Sequence, residues 1–181
     1  VGTRPAHAIL IPRFSCWRYL DAADDPGPRW QEYGFDDTRW RVGQADLGYG
    51  DVQTTSLSYG SDPNRKRVTT YFRQPFTVTN IGGLAALFAR VWRDDGVVLY
   101  LNGVEVMRDN LPRGVITSGT YALNTLTNVS ETMPVEIEIW PRESGKFGAA
   151  VENVKAAVKA VEGTVLQETR VSEIRYHAVL A

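Results

Sequence analysis

Val97-Val98-Leu99-Tyr100-Leu101, then Asn102-Gly103, then Val104-Glu105-Val106-Met107-Arg108 is the stretch on which the fold turns. Two runs rich in β-branched and aromatic residues are separated by Asn-Gly alone. Both turn residues tolerate positive φ, and the tight turn they make shares the twist of the strands it joins, so the stretch predicts a β-hairpin. Asp94-Asp95-Gly96 before it reads as another tight turn, and Asn110-Leu111-Pro112-Arg113-Gly114 after it as a loop.

The flanking sequence repeats the pattern. Cys16 to Leu20 carries Trp17 and Tyr19 at period two, a strand signal, and Val68 to Phe76 is rich in Thr, Tyr and Phe. Leu84 to Trp92 reads as a strand buried on both faces, with a helix as the alternative, and Val115 to Leu126 as extended chain. Val135, Ile137 and Ile139 line one face of a period-two strand after Pro134, and Ile174 to Leu180 reads as a closing strand. Residues 21–29 are turn chemistry, and residues 43–62 are glycine-rich and irregular. Residues 149–162 break the rhythm. Val151, Val154, Val158 and Val161 recur at helical spacing among alanines, Glu152 precedes Lys155 by three, and Gly163 suits a helix end. The prediction is a single all-β domain over 1–181, an antiparallel β-sandwich with one C-terminal α-helix over 149–162.

Composition bounds what such a domain does. The chain has 181 residues, 43% hydrophobic and 23% charged, which is ordinary globular composition. A chain of this length buries about 70% of its unfolded surface, enough for one core. Its formal net charge is −1, and nucleic-acid binders show a basic excess. Arg65-Lys66-Arg67 is too short to supply one and reads as a solvated loop. No apolar run approaches the roughly 20 residues of a membrane span. A single cysteine, Cys16, excludes an intrachain disulfide without fixing the redox compartment. The chain starts at Val1 without a leader-like segment, and is expected to be a processed chain or an excised module. Asn128-Val129-Ser130 fits the short glycosylation pattern.

Several stretches, taken as a set, resemble one family. They are Trp17-Arg18-Tyr19-Leu20-Asp21, Trp30, Phe35-Asp36-Asp37-Thr38-Arg39-Trp40, Ala45-Asp46-Leu47-Gly48-Tyr49-Gly50-Asp51, Ser58-Tyr59-Gly60, Thr70-Tyr71-Phe72-Arg73, Asp94 to Gly103 and Asn110-Leu111-Pro112. Their order and spacing resemble the galactose-binding-like jelly-roll module, over roughly residues 10–127. The set is similar to the sugar-binding domain that accompanies glycoside hydrolases, and to modules in secreted, bacterial surface and phage tail proteins. The resemblance implies a jelly-roll sandwich, a carbohydrate ligand and an extracellular, cell-surface or virion location. From about Asn128 the chain departs from the pattern. There Thr164 to Gln167 and Ser172 to Leu180 are similar to the module's last two strands, and the helix is an addition to its plan.

The chemistry-bearing residues are few. His7 and His177 lie at opposite ends, and metal-ligand and serine-hydrolase motifs are missing. Three acidic pairs remain, Asp24-Asp25, Asp36-Asp37 and Asp94-Asp95. Each sits at a turn, where Asp caps its own backbone. Calcium is the other reading, because it wants hard oxygens, and Asp94 and Asp95 are the metal candidates for a structural calcium, an option that such modules share. No cofactor is required and no catalysis is expected. For a sugar, aromatic faces take the C–H side of a pyranose while polar groups take its hydroxyls. The candidates are Trp30, Tyr49, Asp51 and Tyr59, with Tyr33 and Trp140 behind them; Trp17, Trp40, Tyr71, Phe72 and Trp92 read as core. Arg73 and Arg90 are candidate partners of the acidic turns. The stripe Val151, Val154, Val158 and Val161 either packs on the sandwich or forms an interface to another copy or to a host protein. The leading expectation is a non-catalytic extracellular carbohydrate-binding module. The alternative is a structural building block of a phage tail, surface fibre or other assembly, held by protein–protein contacts.

Overall fold

The computed structural model describes residues 9–22, 25–50, 53–77, 87–126, 135–139 and 154–161. The strands are β1 (Cys16–Leu20), β2 (Arg41–Gln44), β3 (Leu47–Gly48), β4 (Thr55–Ser56), β5 (Thr69–Phe76), β6 (Leu87–Val91), β7 (Gly96–Leu101), β8 (Val104–Asp109), β9 (Val135–Ile139) and β10 (Val154–Val161). A six-stranded antiparallel sheet runs β2-β1-β5-β10-β7-β8, an antiparallel pair β6-β9 forms a second sheet, and β3-β4 is a short parallel pair. The fold class is all-β, a β-sandwich, as the sequence predicts.

The hairpin forms as its turn chemistry dictates. Leu101 pairs with Val104 across Asn102 and Gly103, whose φ values of 50° and 87° are both left-handed. A bulge between Leu99 and Tyr100 shifts the register, so that Leu99 faces Met107 while Tyr100 faces Glu105.

The helix expected over 149–162 does not form where that segment is described. Residues Val154–Val161 are strand β10, inserted between β5 and β7, with Val158 opposite both Phe72 and Leu99. The sequence VKAAVKAV also alternates at period two, and a slot open on both sides satisfies eight residues of backbone at once, which outweighs the alanines' helix propensity. Val151, the strand expected over 174–180 and the acceptor Asn128 lie outside the described residues.

Register sorts the central side chains onto two faces. Tyr19 faces Phe72, and Leu99 lies on the same face, which also carries Trp17 and Val97; all five are buried. The opposite face carries Arg18, Leu20, Tyr71, Arg73, Val98 and Tyr100. That face is covered too. Trp30 and Trp40 pack on Tyr71 with Leu20, Phe35 and Tyr100 against them, and Leu111 packs on Val98 beside Ile116. Thr69 to Arg73 is accordingly buried without a break, so the central strand shows no polar alternation. The run over 115–126 forms loop rather than strand, and Thr69 Oγ1 ties it to β5 by donating to the Ser118 carbonyl at 2.8 Å.

Candidate functional site

The parallel pair β3-β4 brings two tyrosines together. Leu47 stands opposite Thr55 and Gly48 opposite Ser56, with Leu57 N donating to the Gly48 carbonyl at 2.7 Å. The chain leaving β3 reaches Tyr49, and the chain leaving β4 reaches Tyr59. Their ring centroids lie 5.1 Å apart in an edge-to-face contact, the arrangement aromatic quadrupoles prefer. Tyr49 is buried and Tyr59 half-buried, so Tyr49 is the floor and Tyr59 the presented ring. Lys66 Nζ stands 5.2 Å from the Tyr49 centroid and 5.7 Å from that of Tyr59, a cation–π arrangement on both rings.

The segment that delivers Lys66 is held at its stem. Arg67 N donates to the Tyr59 carbonyl at 3.0 Å, closing the loop. The Arg67 guanidinium donates to the Asp21 carbonyl, and at 3.1 Å to both the Ser58 carbonyl and Ser58 Oγ. The buried Asp21 carboxylate accepts from Ser58 N at 2.7 Å and meets Arg41 at 3.4 Å. Asp62 organises the tip, its Oδ1 accepting from Asn64 N at 2.8 Å and its carbonyl from Arg65 N at 3.1 Å. Arg65, Lys66 and Arg67 therefore take three roles: exposed charge, ring-capping cation and inward anchor. As a bare charge run they resemble any solvated loop, which is why the sequence did not single out Lys66 or Arg67; nor does Asp21 stand out among the neighbouring turn aspartates.

The remaining candidates fall elsewhere. Trp30 is only 7% exposed and makes edge contacts to Tyr71 at 4.9 Å and Tyr100 at 5.6 Å, so it is a core ring and not a presented face, contrary to its reading as a sugar-binding candidate. Tyr33 is exposed on the same loop. Asp51 and Trp140 lie outside the described residues. For Val154, Val158 and Val161 the finding is their place in a sheet interior rather than on a helix face.

The described acidic turns are engaged in local structure. Asp25 Oδ1 accepts from Gly27 N at 2.8 Å. Asp36 Oδ1 accepts from Thr38 N at 3.0 Å and Thr38 Oγ1 at 2.7 Å, and these bonds hold its carboxyl below the ordinary range. Asp37 receives Arg73 Nε at 2.7 Å, while Arg18 Nε stands 3.4 Å away. The fully buried Arg73 also donates to the carbonyls of Trp30 and Glu32, the latter at 3.0 Å. This one guanidinium pins the loop over residues 28–40 to the sheet, and Arg73 is thus the partner of an acidic turn that the sequence suggested. Asp94 and Asp95 are buried, and Asp95 Oδ1 accepts from Leu126 N at 2.6 Å. Among the described residues no group of three or more His, Cys, Asp or Glu could hold a metal ion.

No protein-family model matches the sequence, and no curated protein matches it either. Solved structures do share the fold. A beta-glucuronidase from glycoside hydrolase family 2 is similar over 90% of this chain and 15% of its own, at 19% identity and a TM-score of 0.54. A calcium-binding mutant of Bacteroides uniformis beta-glucuronidase 2 is similar over 90% and 17%, at 12% identity and a TM-score of 0.51. The beta-glucuronidase of an uncultured Clostridium species is similar over 88% and 23%, at 13% identity and a TM-score of 0.50. The chain thus spans less than a quarter of the length of these proteins, and at these identities the likeness is one of fold: the sandwich seen here is a β-sandwich that large glycoside hydrolases also contain.

Proposed function

We propose that this domain is a carbohydrate-recognition module, working outside the cell or at a surface, and that it grips its ligand with loops at the end of the sandwich without catalysing a reaction. The observation that carries this reading is the tyrosine pair Tyr49–Tyr59 beside Lys66. Tyr59 is partly exposed beside a buried ring that fixes its angle. A pyranose laid on it gains apolar contact through its C–H face at little cost in side-chain entropy. The engagement of Asp25, Asp36, Asp37 and Asp95 in backbone and arginine bonds supports a non-catalytic role, since a glycosidase needs two carboxylates free to face a substrate. The shared fold with glycoside hydrolases supports a carbohydrate setting. No helix among the described residues is long and apolar enough to cross a membrane.

Titration calorimetry against a panel of neutral and acidic oligosaccharides tests the reading. The expected result is saturable binding that Tyr59→Ala weakens about tenfold or more while Trp30→Ala lowers thermal stability and leaves the affinity of the folded fraction intact. Equal loss in both variants, or no binding by any saccharide, overturns it.

A second reading, a structural building block, is favoured by exposed apolar side chains along one loop: Val115 at 90%, Tyr121 at 59% and Leu123 at 61%. If these meet other copies or a host protein, light scattering shows an oligomer that Val115→Lys with Leu123→Lys dissociates; a monodisperse monomer argues for the first reading.

A further inference from the structure

The position of Lys66 specifies what kind of saccharide the tyrosine pair would take, an inference that rests on the carbohydrate reading above. The two ring centroids and Nζ form a nearly equilateral triangle with sides of 5.1, 5.2 and 5.7 Å. The ammonium therefore stands against both rings at once. Among the described residues Lys66 has no carboxylate partner, and the nearby carboxylates Asp21 and Asp62 are committed to Ser58, Arg41 and Asn64. Arg65 adds a second exposed positive charge one residue away. A sugar ring in van der Waals contact with Tyr59 has its carbons about 4 Å from the tyrosine plane, and Nζ, 5.7 Å from that ring's centroid, is close enough to meet a substituent on the sugar's rim. A neutral hydroxyl there gains one hydrogen bond; a carboxylate or sulfate gains a charge-assisted one from a cation that no described carboxylate pairs.

We infer that the Tyr49–Tyr59–Lys66 notch selects anionic saccharides, with the C–H face of the sugar on Tyr59 and its carboxylate or sulfate on Lys66 Nζ. The stem bonds of Arg67 keep the notch formed in the free protein, so ligand binding does not have to order the loop first.

The test titrates the intact protein with three probes of similar length: a neutral galacto-oligosaccharide, an oligogalacturonate and a sulfated galactan oligosaccharide. The expected result at low salt is tighter binding of one or both anionic probes by on the order of fivefold over the neutral one. Which anionic probe wins distinguishes carboxylate from sulfate. Lys66→Met abolishes the preference by weakening the anionic probes more than the neutral one, Lys66→Arg retains it, and 1 M NaCl suppresses it because the Debye length falls to about 3 Å. Lys66 is exposed, so a melting curve matching the wild type accompanies each variant. Neutral and anionic probes binding equally, or a preference that survives Lys66→Met, overturns the inference while the carbohydrate reading stands. Failure of all three probes to bind overturns both.

Discussion

The domain contains two assemblies made from the same ingredients, aromatic rings and a basic side chain, and they come to opposite ends. Over the sheet face, the cluster of Trp30, Phe35, Trp40 and Tyr71 lies beside Arg73, which is fully buried, ion-paired to Asp37 and 5.2 Å from the Phe35 centroid. At the loop end, Tyr49 and Tyr59 hold Lys66, which is exposed and bound to no carboxylate among the described residues. Arginine's planar fork satisfies several fixed acceptors at once and survives burial; lysine's single ammonium keeps its water and can exchange it for a ligand. Aromatic-plus-cation composition therefore does not mark a site. What separates structure from recognition is whether the cation's acceptors are already in the fold.

The difference can be broken at its strongest point. Arg73→Ala leaves a buried cavity, orphans the carbonyls of Trp30 and Glu32 and strips Asp37 of its closest cation. We expect a loss of about 3–5 kcal/mol of stability, read as a lower urea midpoint, whereas Lys66→Met is expected to stay within about 0.5 kcal/mol of wild type. Comparable losses in the two would erase the distinction. Gly43 offers a way to couple the regions. A Cβ there would stand 2.5 Å from Thr55 Cγ2 and 3.1 Å from Leu47 Cδ2, where β2 crosses the β3-β4 pair. Gly43→Ala should cost about 1–3 kcal/mol and, by displacing the strand that leads to Tyr59, also weaken the saccharide binding proposed above; unchanged affinity would show that the tyrosine pair is held by its own loops alone.

The buried assembly also has a proton signature. Burial, and then the charge of Asp25, push the Tyr71 hydroxyl above its ordinary value; burial, and then Glu105, do the same to Tyr100. An unfolded tyrosine ionises near pH 10 or so. Below that pH both states keep the proton and the stability is complete. Above it the unfolded chain gains by ionising and the folded chain does not, so stability declines as pH rises. Denaturation midpoints from about pH 9 to pH 11 should fall in the wild type, and less steeply in Tyr71→Phe; parallel slopes would remove Tyr71 from the account.

Much of the fold is legible in local chemistry. The Asn102–Gly103 turn, the period-two strand at Cys16–Leu20 and the run Val135–Ile139 each form where residue spacing alone places them. What is not legible depends on distant neighbours. Val154–Val161 fits either period, and only the open slot between β5 and β7 decides for strand. Trp30 sits amid turn residues, yet its loop folds onto Tyr71 and Tyr100, some 40 and 70 positions later in the chain. The candidate site is half legible. Tyr49 and Tyr59 can be chosen for their aromatic faces beside glycines, but their contact follows from the β3-β4 pairing, and the part played by Lys66 follows from Arg67 turning inward.

The closed stem of the segment from Tyr59 to Arg67 has one last consequence. Since Arg67 fastens both ends to β1's exit and to Ser58, residues 61–65 hang from a clasp whose strength does not depend on them. On the proposed reading they would form an interchangeable cassette, whose length and composition can change while the stem bonds hold ring and ammonium in place, so that editing five positions would give one grip new ligands.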